Sequence, residues 1–241
     1  MPVTRPRSSA SLRSDHSASS GQESQEPAGN NRRDDPMRYK ANITVGSLKL
    51  PESRLVADLL LRHIDPDGWK DAIVTKNVLQ ARNPATARRL SGLIRDRLET
   101  MGPELWALVR DGQGTVATHA AFAAAIKHSP LLGDFLRLVV GEQYRLFSPA
   151  LSHQLFAAYL EGCRERDPEM PQWTEATRNR LRSSVLQMLA QAGYIENTRS
   201  LTLHTVHIAD QVLRYLKAHH EEHVLRCLCL IRFGGRFSYA A

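Results

Sequence analysis

Apolar residues recur every three or four positions through most of the chain after residue 38, and short breaks carrying Pro, Gly or Asp separate the periodic runs. The pattern predicts a short extended lead-in at 43–48, then helices near 51–64, 67–80, 84–101, 103–110, 115–127 and 130–145. Connections this short join antiparallel neighbours in a helical bundle. A further helix starts at Ser148-Pro149 and runs to about Arg166. After the Pro-bearing turns at Asp167-Pro168 and Met170-Pro171, Thr174 caps a long helix reaching Gln191. The period then changes. Ala192-Gly193-Tyr194-Ile195, a polar turn at 197–200 and the alternating Leu201-Thr202-Leu203-His204 predict a small β-hairpin. A last helix begins near Ile208 and continues into VLRCLCLI, and FGGRFSYAA frays.

The fold class is therefore mainly all-α. Helix, loop, capped helix, Gly and hairpin is the order of a winged helix, although only two of the three helices that precede a wing can be identified. The resulting division is a disordered extension at 1–37, a helical bundle at 38–147, a winged-helix-like module at 148–218, and a C-terminal helix end with a frayed tail at 219–241. The extension is Ser-, Arg-, Gln-, Asp- and Pro-rich and cannot bury enough apolar area to offset its ordering entropy. The globular pattern opens just after Met37, which suits a start codon there.

Composition adds a charge argument. The formal net charge of +7 lies wholly in residues 38–241, because the first 37 hold five Arg and five acids. A basic folded part points first to nucleic acid, then to an acidic protein or an anionic surface. Three cysteines, Cys163, Cys227 and Cys229, form no disulfide framework and suit a reducing cytoplasm. No apolar run is long enough to span a membrane, and the first 36 residues lack the apolar segment of a secretory signal.

Two helices carry the candidate binding residues. In NPATARRLSGLIRDRLETM, residues 83–101, Asn83 is a capping residue, Pro84 suits the first turn and Gly102-Pro103 ends the helix. At 100° per residue, Ala87, Leu90, Leu93, Ile94, Leu98 and Met101 share one face. Arg88 and Arg95 point away from it, Arg89 lies on the flank, and Arg97 falls on the apolar side as a snorkelling or ion-paired structural residue. The helix at 174–191 turns Leu181, Val185, Met188, Leu189 and Ala192 inward and shows Arg180, Ser183, Ser184, Gln187 and Gln191 outward. Arg and Gln bridge base edges and Ser bonds phosphates, so this face has the composition of a recognition helix or of an ordinary solvated surface. Arg178 and Arg182 reach phosphates only from the helix edge. Arg199 at the wing tip suits a backbone or minor-groove contact, or is simply a turn residue.

Other chemistry finds little support. HHEEH at 219–223 is not H-E-x-x-H, so these histidines read as a charged helix surface with no metal. There is no phosphate-binding glycine loop, no nucleophile elbow and no carboxylate set spaced for two-metal chemistry. The expectation is a non-enzyme without cofactors. His119 and His128 bracket AAFAAAIK, whose small residues suit tight helix packing.

Five stretches, taken in order, resemble one family. They are YKANITVGSLKLPESRLVADLLL, the segment around Trp69, NVLQARNPATARRLSGLIRDRL, LLGDFLRLVV and TEATRNRLRSSVLQMLAQAGYI. Together, over residues 39–207, they resemble the BrxA proteins of BREX phage-defence systems. The resemblance implies a helical core similar to the RNA-binding antitermination factor NusB, a helix-turn-helix-like part, and double-stranded DNA binding without enzymatic activity. It also implies partners: a methyltransferase, an ATPase and a phosphatase-like protein. The first 36 residues and the Cys-bearing end depart from the family pattern. The expected function is a DNA-binding accessory subunit of such a system, with a protein-interaction adaptor or a NusB-like RNA-binding protein as alternatives.

Overall fold

A computed structural model describes residues 38–43 and 47–230. The expected disordered extension, the middle of the 43–48 lead-in and the frayed tail lie outside the described residues. The helices are α1 (Leu50–Leu61), α2 (Pro66–Lys70, running into a π-helical turn, Asp71–Thr75), α3 (Pro84–Leu98), α4 (Pro103–Asp111) and α5 (Thr115–His128). Then come α6 (Pro130–Asp134), a π-helical stretch (Phe135–Val140) and α7 (Gly141–Arg145), which form one continuous run, followed by α8 (His153–Arg166) and α9 (Glu175–Gln191). The described chain ends with α10 (Asp210–Ala218) and α11 (Glu222–Leu228). Proline sits in the first turn of α1, α2, α3, α4 and α6, where its missing N–H costs nothing. Asn83 Oδ1 accepts from Thr86 N at 2.8 Å, and Thr174 Oγ1 accepts from Thr177 N at 3.3 Å, so both expected caps are made.

The described residues make one compact unit. At its centre lies α5, in which Ala117 and every residue from Ala120 to Ile126 are buried. A helix buried all round needs small side chains if several neighbours are to approach it. Here α1, α3, α4, α6, α10 and α11 all pack against α5. α1 lies along α4, and α3 fills the angle between α1, α5 and the first π-helical turn.

Helix ends are closed by side chains from other elements. Arg54 on α1 donates from Nη1 to Arg110 O and from Nη2 to Gly112 O, both at 2.6 Å, covering orphan carbonyls at the end of α4. Trp106 Nε1 donates to Leu98 O at 2.7 Å and closes α3. The lead-in is fastened by Tyr39, whose hydroxyl donates to Asp134 Oδ2 at 2.7 Å and whose amide donates to Asp167 Oδ2 at 3.0 Å. Asp134 is 1% exposed and also takes Arg38 and Arg137. Burial alone would raise its pKa. The Tyr39 hydroxyl and the two arginines outweigh that and hold it below the usual carboxylate value.

The hairpin is present in minimal form. Ile195 pairs with Leu203, and Glu196 N donates to Thr202 O at 2.9 Å. On its other side the returning strand meets Ala150 through Thr202, with Leu203 N donating to Pro149 O at 2.9 Å. Residues 201–203 therefore lie between 149–151 and 194–196. Gly193, with φ 85, allows the chain to leave α9 in the left-handed conformation. Three expectations need correction: the helix expected near 67–80 stops at Thr75, the helix expected from Ser148-Pro149 starts only at His153 because 149–151 pair with the returning chain, and the last helix is not continuous. It ends at Ala218 and restarts at Glu222, with His220 at φ 54 between the two pieces, and Glu221 N closes back on Leu216 O at 2.8 Å.

Two outcomes follow from this packing. Ala124→Leu has no room beside the neighbours of α5, and it should destabilise by about 1–3 kcal/mol in denaturant unfolding. His119 is buried on α5 and accepts at Nδ1 from Ala209 N at 3.1 Å, and burial lowers its pKa. Burial lowers His128 and His223 in the same direction. For a histidine whose folded pKa is depressed, the unfolded chain binds the extra proton first. Stability is therefore full above the unfolded value of about 6.5 and falls as the pH drops below it. Thermal midpoints measured from pH 7.5 down to 5.5 should decline, and His119→Asn, which keeps an acceptor, should flatten the decline.

Candidate nucleic-acid interface

α3 presents its arginines largely as its periodicity requires. Ala87, Leu90, Ile94, Leu98 and Met101 are buried, while Arg88, Arg89 and Arg95 are exposed. The three exposed arginines are not equivalent. Arg95 Cζ lies 4.7 Å from the centre of the Trp69 ring, and its Nε donates to Glu99 Oε1 at 2.7 Å. Arg95 is thus already engaged on both sides. Arg88 and Arg89 make no ion pair among the described residues. Trp69 was invisible to the helical period of 83–101 because it belongs to α2, and only the packing of the first π-helical turn against α3 places it there.

α9 buries Leu181, Val185, Met188 and Leu189 and exposes Arg180, Ser183 and Gln187, as expected. Ser184 is the exception. It is 2% exposed and does not belong to the outer face. It sits three residues after Leu181 and four before Met188, within an inward stripe that Leu186 widens further. Gln191, also expected outward, is exposed, but its Oε1 accepts from Leu48 N at 2.7 Å and so ties α9 to the lead-in. Arg178 is half-exposed and lies 3.5 Å from Glu161 on α8. Arg180 is exposed and Arg182 half-buried, and neither has an ion pair among the described residues.

The turn at 197–200 is held by side-chain hydrogen bonds. Asn197 Oδ1 accepts from Arg199 N at 2.8 Å and Ser200 N at 3.0 Å, and Ser200 Oγ donates to Glu196 Oε2 at 2.7 Å. The Arg199 side chain projects from this turn into solvent. Among the described residues, no hydrogen bond or ion pair joins the arginines of α3 to those of α9 and the wing, so the two sets are mounted independently.

Arg97 is neither snorkelling nor ion-paired. It is 3% exposed, and among the described residues its side chain donates one hydrogen bond, from Nη1 to Ser47 O at 3.4 Å, and meets no carboxylate. Beside the wing, Leu146 is 62% exposed and Phe147 92% exposed, with Phe147 at φ 53. A run of mixed polar and apolar residues between two helices gave no signal for such a protrusion. Among the described residues no group of three or more His, Cys, Asp or Glu is placed to hold a metal ion. His219 stacks on Tyr215, while His223 faces Cys227 Sγ at 3.8 Å on the next helix. Burial pushes the Cys227 thiol up to about 12. No described helix is long and apolar enough to cross a membrane.

The family model described as BrxA matches residues 37–220. A protein described as BREX protein BrxA from Paramagnetospirillum magneticum is 53% identical over 191 residues, 79% of this chain and 96% of that protein. Another of the same description from Escherichia coli is 30% identical over 172 residues, 71% of this chain and 81% of that protein. The crystal structure of an uncharacterized protein from Magnetospirillum magneticum is 51% identical, with a TM-score of 0.76, and covers 80% of this chain and all of that one.

The two fates of the outward arginines on α3 predict different costs. Arg95→Ala loses a stacked and paired guanidinium and should destabilise by about 1 kcal/mol. Arg88→Ala should stay within about 0.5 kcal/mol of the parent in the same urea unfolding experiment.

Proposed function

The chain belongs to the BrxA family, and from that premise we propose that it is a non-enzymatic accessory protein of a BREX phage-defence system that binds double-stranded DNA. The observation that carries the reading is the arrangement around α9. The continuous run at 130–145 comes first, Ala150 pairs next, and α8, α9 and Ile195 come after it, before the chain turns at 197–200 and returns between the two earlier segments. This order supports a winged-helix reading in which the run at 130–145 supplies the first helix. In this reading α9 is the recognition helix. Arg180, Ser183 and Gln187 face the groove, and Arg182 and Arg199 contact phosphate from its two sides. Ser184 is withdrawn from this set because it is buried. Arg88 and Arg89 on α3 form a second, phosphate-positioning surface. Arg95 and Arg178 have partners that a phosphate would have to displace, and they contribute less.

A specific observation also supports an adaptor role. Leu146 and Phe147 stand in solvent next to the wing, and exposed apolar pairs of this kind mark protein contacts. The expected partners are the other BREX proteins: the methyltransferase, the ATPase and the phosphatase-like protein. The two roles use different residues and are separable. RNA binding in the manner of NusB uses the same phosphate charge, but it offers no use for a winged-helix order.

Mobility shift of duplex DNA at rising salt tests the proposal. Affinity should fall steeply, with log K losing about 0.9 for each phosphate neutralised per decade of salt. Arg180→Ala with Arg199→Ala should lower affinity and reduce that slope, whereas Phe147→Ser should leave both unchanged while reducing capture of the neighbouring defence proteins. Absence of duplex binding at low salt, or preference for structured RNA in competition, would overturn the DNA reading.

A further inference from the structure

We propose that His119 is the positioning residue for the wing: from the central helix α5, its imidazole clasps the chain on both sides of the hairpin, where α9 ends at Ala192 and α10 begins at Ala209. The ring is buried, and its Nδ1 accepts from Ala209 N at 3.1 Å. The second nitrogen is used as well. With Nδ1 an acceptor, the proton of the neutral ring lies on Nε2. The ring also bonds the backbone of Ala192, and that bond favours the protonated ring, so it is one that the ring donates and the Ala192 carbonyl accepts. Both contacts fall at helix ends that need them. Ala192 is the C-cap of α9, where a helix leaves carbonyls without an internal partner. Ala209 is the N-cap of α10, and its methyl side chain makes no cap bond.

The two limbs of the hairpin are not held alike. The outgoing limb is fixed by Tyr194, whose ring meets Phe122 of α5 and whose hydroxyl donates to Leu228 O. On the returning limb the last rung is His204 N to Tyr194 O at 3.0 Å, and the Tyr144 hydroxyl donates to His204 O. The chain then runs without regular structure to Ala209, where the His119 bond catches it. With that bond made, the returning limb keeps one orientation to α9, and so does the turn that carries Arg199.

An imidazole suits this place because it donates and accepts at once, but only while neutral. A protonated ring turns an N–H toward the Ala209 N–H, and the clasp opens on that side. Burial is the first cause of the lowered pKa of His119, and the Ala192 bond acts against it. No charged side chain of α1, α3, α4, α6, α10 or α11, the helices packed on α5, is among the causes. His207 and Asp210, the ionisable neighbours of the clasped amide along the chain, are exposed. The clasp is therefore complete above the unfolded histidine value of about 6.5 and is lost as the pH falls below it.

That the clasp orients Arg199 for a duplex rests on the DNA reading, whereas the clasp itself does not, and the two are tested separately. Hydrogen exchange of single backbone amides in the full chain, followed by NMR and corrected for the intrinsic rate, tests the clasp. Asn places its Oδ1 where the ring has Nδ1, and Gln places its Nε2 where the ring has Nε2. His119→Leu and His119→Gln should speed exchange at Ala209 and at the hairpin amides of Glu196, Leu203 and His204 by about tenfold, the worth of one ordinary hydrogen bond, with α8 and α9 unchanged. His119→Asn, which keeps the Ala209 bond, should leave these amides at the wild-type rate. Lowering the pH from about 7.5 to 5.5 should speed the same amides in the wild type but not in His119→Asn, and this arm needs no variant to fold beyond that one. Exchange that quickens at Ala209 alone, or evenly throughout the chain, overturns the proposal. In mobility shift of duplex DNA, His119→Leu should lower affinity yet add nothing to the loss in Arg199→Ala. Additive losses overturn the link between the clasp and Arg199, while duplex binding by none of the proteins overturns the DNA reading and leaves the exchange result to decide the clasp.

Discussion

The structure depends on α5 being buried on every side. Six other helices pack against it, and that is possible because Ala occupies most of its buried positions and leaves their backbones free to approach. A large residue on any face of α5 would push at least one neighbour outward. The few large side chains it does carry serve to lock the arrangement. Phe122 meets Tyr194 at 5.8 Å between ring centres, which sets the end of α9 against the core. His119 receives the Ala209 amide and so fixes the chain that leaves the wing.

Around that axle, polar side chains reach across to close helix ends. Arg54, Trp106, Tyr159 and Tyr194 each donate to a carbonyl at or near a helix terminus in another part of the chain. Trp106 and Tyr159 add a second bond to carbonyls that already accept from the backbone, and every one of these bonds fastens two elements together. Asp134 does the same for the lead-in, since it is held ionised by Tyr39, Arg38 and Arg137. The arginines proposed for DNA stand outside this web. Arg54, Arg97 and Arg166 have been drawn into structural contacts, while Arg88, Arg89, Arg180 and Arg199 remain presented to solvent on elements that the web makes rigid.

The candidate surface was legible in part. Spacing alone separates Arg88 and Arg95 from the core face of α3, because a helix fixes each side chain's direction to within a few tens of degrees. It misplaces Ser184, since the width of a buried stripe depends on how many neighbours crowd it. It cannot tell Arg88 from Arg95, because Trp69 and its cation–π contact come from another helix. Nor does it tie residues 130–151 to the hairpin. The periodicity of residues 130–145 groups them with the bundle before them, and only the pairing of Ala150 with Thr202 joins the segment after that run to the wing.

The sequence by itself determined most of the element list, the caps and most of the inward faces, and it carried the family resemblance. These arise from local rules: periodicity, proline and glycine placement, and short polar caps act over a few residues. Tertiary structure decided which charges are free. Apart from the local Arg95–Glu99 pair, whether an arginine meets a ring, a carboxylate, a carbonyl or nothing depends on residues 17 to 127 positions away. Arg97 shows this most plainly: its helical angle said it faced inward, but only the assembled fold shows that no acid of the described residues meets it.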